Sequence, residues 1–458
     1  MSDESHPQKP AKQTARRKDP RNNPDAPGLA ARRVACQVLW DVLHRHLPLD
    51  ETLDKALQDD SVPPRDHGLT RALATSAIRH LGTIREAISK RLTDHKLPAK
   101  VVELEPLLII GAAQLLYLDV PDHAAVDLMV RAAREKPRTL PYFKLVNAML
   151  RRISREKSEI LAAVSPFDNL PDWLVRRWIA HYGLAKAEQI AKACAHEASV
   201  DLTVKSDPDH WAGELAAKKL PNGSLRLTDR RPIASLPGYQ DGAWWVQDRA
   251  AALPAALLKV KAGEHVADLC AAPGGKTAQL AVAGATVLAV DRSPARLKVL
   301  ERNMERLGLS VTIMAQDAAT LKAGPFDAIL LDAPCSATGT LRRHPDVAWT
   351  KSAADIAKLV QLQHRLLDHA VTLLKPDGRL IYCTCSLEPE EGEAQITALL
   401  ARNPNLKRDA IAPGEVPGLT EALTDQGDLR ILPYMGQTED TITAGIDGFF
   451  IARLRSMG

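Results

Sequence analysis

Cysteine is scarce in this chain, six in 458 residues, yet four of the six fall in three short segments near the C-terminal end. These are "DLCAAPGGKT" (268–277), "LDAPCSATG" (331–339) and "YCTCSLEPEE" (382–391). Gathered thiols serve either a metal or a nucleophile. Metal ligation is disfavoured, because there is no Cys-x-x-Cys pair and His344 stands alone; no metal is expected. A thiolate is a strong, soft nucleophile near neutral pH. One reaction needs such a group beside a methyl-donating nucleoside cofactor. Carbon 5 of a pyrimidine is a poor nucleophile until a thiolate adds at carbon 6 and makes it enamine-like. Carbon 5 then accepts a methyl group, loses its proton, and the thiolate leaves. An acid near ring nitrogen 3 helps the addition, and Asp332 stands close enough in sequence to serve. This chemistry leaves both Cys335 and Cys385 open as the nucleophile. Cys270 and Cys383 read as buried small hydrophobes.

These residues need a scaffold of strands. Residues 263–458 alternate apolar runs ("EHVADLC", "TVLAVD", "VTIMAQD", "PFDAILLD", "GRLIYCTCS") with helical stretches, including a long one near 352–374. That pattern predicts a doubly wound, mostly parallel α/β sheet whose ligands sit beyond the carboxyl ends of the strands. Strand alternation puts Ile381, Cys383 and Cys385 on one face and Leu380, Tyr382 and Thr384 on the other. If the first, fourth and fifth of these strands are neighbours, Cys335 and Cys385 end side by side. The turn at Gly274 and Gly275 lacks both the phosphate-loop spacing and G-x-G-x-x-G, so phosphate is not its guest. Asp291 and Asp317 close the next two strands, where carboxylates suit ribose hydroxyls and an adenine amino group. The pair Arg342–Arg343 suits phosphate or base contact.

The rest of the chain is plainer. Residues 29–160 carry apolar residues at helical spacing and predict a helical bundle, with Arg32, Arg33, Arg151 and Arg152 able to line a basic face. Residues 166–262 read as a small α+β insert in which Trp244 and Trp245 are local core rather than base-stacking platforms. The polar, Pro-rich N-terminus reads as a basic arm without a secretory signal. A net charge of +4 is compatible with nucleic acid without requiring it. The longest apolar stretches fall short of a membrane span, and the irregular cysteines do not form a disulfide framework, so a cytoplasmic protein is expected.

Together "DLCAAPGGKT", "LDAPCSATG…RRHPD" and "YCTCSLEPEE" resemble the RNA cytosine-5 methyltransferases of the NOL1/NOP2/Sun family, and the helical N-terminal region resembles the RNA-binding NusB domain. The resemblance spans about residues 30–455. It implies S-adenosylmethionine as donor, held by Cys270, Ala271, Ala272, Pro273, Gly274, Gly275 and Lys276, with Asp291 on the ribose side, Asp317 on the adenine side and Asp332 opening the fourth motif. It implies Cys385 as nucleophile and Cys335 in product release; Cys383 stands where the family often has alanine. The NusB-like fusion implies that the target is a cytosine of small-subunit (16S) ribosomal RNA. The thiol reaches only an unpaired or flipped-out base, which favours free or partly assembled rRNA, and a monomer is expected. The rivals are a transfer-RNA methyltransferase and a non-catalytic RNA-binding assembly factor. The expected layout is a basic arm (1–28), an all-α NusB-like bundle that binds RNA (29–162), a small α+β linker domain (163–262) and a Rossmann-like α/β domain that uses S-adenosylmethionine (263–458).

Overall fold

The computed structural model describes residues 26–436 and 445–457, apart from 59, 60, 93, 95, 99 and 230. The N-terminal arm thus lies almost wholly outside the described residues. The chain divides into two compact units. One takes the chain up to Asp41, Glu51–Ala77 and Ile84–Ala163; the other takes Val42–Asp50, Ile78–Thr83 and everything from Val164. The stretch 164–262 therefore shares a unit with the large sheet.

The first unit is helical because its apolar residues recur every three or four positions. Helix Leu104–Tyr117 is apolar nearly all round and buries twelve of its residues. Helix Phe143–Arg155 is amphipathic and buries Val146, Met149, Leu150 and Ile153 along one stripe. The two helices cross closely at Gly111, where a Cβ would lie 2.6 Å from Leu150 Cδ1.

In the second unit, helices Asp172–Tyr182 and Leu184–Cys194 precede a small antiparallel sheet. Its strands are β1 (Asp201–Val204), β2 (Lys218–Lys219), β3 (Leu225–Arg226) and β4 (Trp244–Val246), in the order β2-β3-β1-β4. Trp244 and Trp245 are buried, Trp244 in a cluster with Leu202, Leu225 and Leu236.

The large sheet contains β5 (His265–Leu269), β6 (Thr286–Asp291), β7 (Thr312–Ala315), β8 (Phe326–Asp332), β9 (Leu374–Thr384), β10 (Leu406–Arg408), β11 (Leu429–Ile431) and β12 (Phe449–Ser456). The order is β10-β12-β9-β8-β5-β6-β7, with β11 also on β12. Strands β7, β6, β5, β8 and β9 run parallel, while β12 is antiparallel to β9. The sheet is therefore mixed, with a parallel centre. Both faces of its centre are covered: Val266, Leu330, Ile381 and Cys383 pack on one side, Leu269, Ile329, Leu380 and Tyr382 on the other. That double burial is why these strands read as continuous apolar runs. The chain winds outward from β5 through β6 to β7, then returns to β8 on β5's other side. A crevice opens beyond the strand ends at such a reversal. Among the described residues no helix is long and apolar enough to cross a membrane.

Candidate active site

Register assembles the thiols. Asp332, the last residue of β8, lies opposite Cys383 of β9, and the Ala333 amide donates to the Cys383 carbonyl at 3.0 Å. Both chains then leave the ladder, one into Pro334–Cys335, the other into Cys385. The two Sγ atoms come within 3.5 Å, both residues half-buried. The contact with Cys385, then burial and the Glu391 carboxylate, push the Cys335 thiol well above its ordinary range. Burial and Asp332 do the same to Cys383, whose Sγ lies 3.5 Å from Asp332 Oδ1. Burial likewise raises Cys270. Of the four gathered cysteines, Cys383 is fully buried among apolar neighbours, as its strand position requires.

A cation sits beside them. Lys276, the second residue of the helix Gly275–Val282 that follows the glycine turn, donates from Nζ to Asp332 Oδ2 at 2.7 Å and lies 5.3 Å from the centre of the Phe449 ring. Burial alone would lower its pKa, but Asp332 and the thiols of Cys383 and Cys385 outweigh that and leave it above the lysine range. The ammonium is thus held charged within the thiol cluster, where it favours a nearby thiolate. Beneath it Asp268 is buried and accepts from Thr277 Oγ1 at 2.6 Å, while its Oδ1 has no partner among the described residues. Burial, only partly countered by Thr277, pushes its carboxyl up to about 7.

Carboxylates mark successive strand ends. Asp291 closes β6, with Oδ1 accepting from Ser293 N at 2.9 Å and Oδ2 from Ala272 N at 3.3 Å. Asp317 follows β7, caps a short 3-10 turn through Ala319 N at 2.9 Å, and is exposed. Acceptors of this kind suit hydroxyl and amino groups, so the strand ends fit a nucleoside-type ligand. The glycine turn does so with little side chain in the way: Cys270 and Gly274 both take positive φ, and Ala271 and Ala272 are nearly buried. Gly274 is also pinned by packing, since a Cβ there would meet Leu300 Cγ at 2.9 Å; at Gly275 nothing lies closer than 3.6 Å. Pro273 bends the same turn, and its carbonyl accepts from Asn303 at 2.9 Å.

Arg342 and Arg343 depart from the sequence reading. Arg342 is buried, and Arg343 donates from Nη2 to Asp248 at 2.5 Å and from Nε to Asp447 at 2.8 Å, both carboxylates being buried. Their charge neutralises an internal network, because Asp248 and Asp447 could not be buried without it. Sequence reasoning also missed Glu391, a fully buried carboxylate behind both cysteines. It closes the third motif, in the acidic "EPEE" at 388–391.

A strand order that reverses beside a glycine turn, with acids at successive strand ends, is the arrangement of a doubly wound nucleoside-binding domain. Residues 255–455 match the family model for 16S rRNA methyltransferase RsmB/F, and residues 29–155 match the NusB family. The chain is 35% identical over 452 residues to the ribosomal RNA small subunit methyltransferase B of Pasteurella multocida, covering 94% of this chain and 96% of that one. It therefore belongs to the 16S rRNA methyltransferase RsmB/F family. The structure of PH0851 superposes with a TM-score of 0.70 at 23% identity, covering 93% of this chain and 98% of the other. NSun6 from Pyrococcus horikoshii, solved with SFG, superposes with a TM-score of 0.53 at 20% identity, covering 63% and 98%.

Proposed function

We propose that this enzyme transfers a methyl group from S-adenosylmethionine to carbon 5 of a cytosine in small-subunit ribosomal RNA, through a covalent bond between Cys385 and carbon 6. The observation that carries this reading is the pair of thiols 3.5 Å apart beside the Lys276–Asp332 pair. Cofactor use is supported by the acid-lined crevice and by the fold neighbour solved with SFG, an S-adenosylmethionine analogue. Cys270 to Lys276 and Asp291 would hold the cofactor, Asp317 would meet its adenine, and the bound cofactor supplies an electrophilic methyl on sulfonium sulfur.

The protein's residues do the rest. Cys385 adds through its thiolate to carbon 6 beside the Lys276 ammonium, which balances the negative charge passed to the ring. Asp332, which accepts from Lys276 Nζ at 2.7 Å, meets the ring nitrogen 3 edge of the base. After methylation carbon 5 gives its proton to water, the carbon 5–carbon 6 double bond re-forms as the Sγ–carbon 6 bond breaks, and Cys335 assists release of the product. The NusB-like region binds RNA, and the target base must be unpaired, which favours free or partly assembled rRNA in the cytoplasm.

The test uses 5-fluorocytosine-substituted small-subunit rRNA with S-adenosylmethionine. Fluorine blocks proton loss, so the nucleophile stays attached and the adduct survives a denaturing gel. We expect an adduct with wild type and Cys335→Ala and none with Cys385→Ala. An adduct lost only in Cys335→Ala reverses the two roles. No adduct with folded wild-type protein that binds this RNA refutes the covalent route.

A further inference from the structure

Each thiol of the pair sits just outside the sheet, so no ladder hydrogen bond fixes its side chain. Each is followed by a serine, and both serines turn onto the same group. Glu391, at the end of the 3-10 turn Pro389–Glu391, is fully buried. Its Oε1 accepts from Ser336 N at 2.9 Å and Gln363 Nε2 at 3.0 Å. Its Oε2 accepts from Ser336 Oγ at 2.5 Å and Ser386 Oγ at 2.6 Å. Its carbonyl accepts from Tyr382 Oη at 2.8 Å and Thr384 Oγ1 at 3.3 Å, which ties the turn back to β9. These carboxylate donors are all neutral. A buried carboxylate held only by neutral donors is an expensive way to fill space, since an apolar side chain of similar size would cost less.

We propose that Glu391 is the positioning residue of the two-thiol centre. One rigid carboxylate grips the residue after Cys335 and the residue after Cys385, and so sets the distance between the two sulfurs. This rests on the roles given above to Cys335 and Cys385. A displacement of about 1 Å in a reacting group can cost on the order of 100-fold in rate, so the grip belongs to the chemistry more than to the fold.

The test is Glu391→Gln in the full chain, because the serine hydroxyls can reverse and donate or accept around an amide. We expect kcat, normalised to the folded protein measured by circular dichroism, to fall roughly 10- to 100-fold with KM for RNA within about twofold. Diamide, which takes up the two electrons and two protons released when Cys335 and Cys385 join, serves as a ruler of their separation. The disulfide should form readily in wild type and roughly tenfold more slowly in the variant. A folded Glu391→Gln protein with kcat and disulfide rate within twofold of wild type overturns the proposal. If that variant does not fold, Ser386→Ala removes one side of the grip, and an unchanged kcat there overturns it equally. If wild type forms no fluorocytosine adduct, the roles of the cysteines fail instead, while the disulfide rates still report on Glu391.

Discussion

At the scale of single residues, charge placement separates the site from its support. Lys276 and Arg343 are both cations at or near the crevice, and their partners assign them different work. Lys276 shares Asp332 and faces thiols, so its charge acts on groups that react. Arg343 divides its guanidinium between Asp248 and Asp447, and burial together with Asp248 already pushes Asp447 up to about 6. Removing Arg343 leaves two buried carboxylates without their cation. Arg343→Ala should therefore lose roughly 3–5 kcal/mol of stability, read as a lower Tm, while the protein that remains folded keeps its KM for RNA. An unchanged Tm with a raised KM would make Arg343 an RNA contact after all.

At the scale of elements, the site is a product of strand register and loop approach. The parallel pairing that sets Asp332 opposite Cys383 also sends the two cysteine loops off the sheet at the same level. The loop after β8 then returns to lie against the second cysteine. The Gly339 amide donates to the Cys385 carbonyl at 2.9 Å, and the Gly448 amide, just before β12, donates to the Gly339 carbonyl at 2.8 Å. A Cβ on Gly339 would lie 2.1 Å from the Gly448 carbonyl oxygen and 2.9 Å from that of Cys385. Backbone cannot swing aside as a side-chain end can. Gly339→Ala should cost about 1–3 kcal/mol in a denaturant melt and lower methyl transfer at least roughly tenfold by shifting Cys385. Full activity in a filter assay with labelled cofactor would show that the Cys385 loop does not depend on this contact.

At the scale of the whole molecule, a net charge of +4 over 458 residues makes this a mild polyelectrolyte partner for RNA. Several arginines that raise the count are internal, among them Arg32, Arg226, Arg342 and Arg430. Others on the helical unit's surface are matched by acids, as Arg152 is by Glu156 at 2.8 Å. The net charge sets the scale taken here for the phosphates neutralised at once. With about three such contacts, affinity for rRNA should fall roughly 40-fold between 50 and 200 mM salt, measurable by filter binding. A fall of roughly ten-thousand-fold would mean many more phosphate contacts than these surfaces offer.

How far the sequence reached can be judged from particular residues. The parallel centre of the sheet, the shared face of Ile381, Cys383 and Cys385, and the meeting of Cys335 with Cys385 follow from local rules: apolar run length, period-two alternation and the spacing of neighbouring strands. So does the burial of Trp244 and Trp245, and the methyltransferase class follows from three short motifs. What stayed hidden depends on partners far along the chain. Arg343 reads as an RNA contact because Asp248 and Asp447 stand 95 and 104 residues away. Glu391 is not singled out, because two of the residues that satisfy it, Ser336 and Gln363, stand 55 and 28 residues back in a loop and a helix. The sequence by itself determined which elements form and which thiols and acids reach the strand ends, since those depend on periodicity and near neighbours. Only the tertiary structure decided which charges face the crevice and which are spent inside, because desolvation depends on what the fold packs around each group.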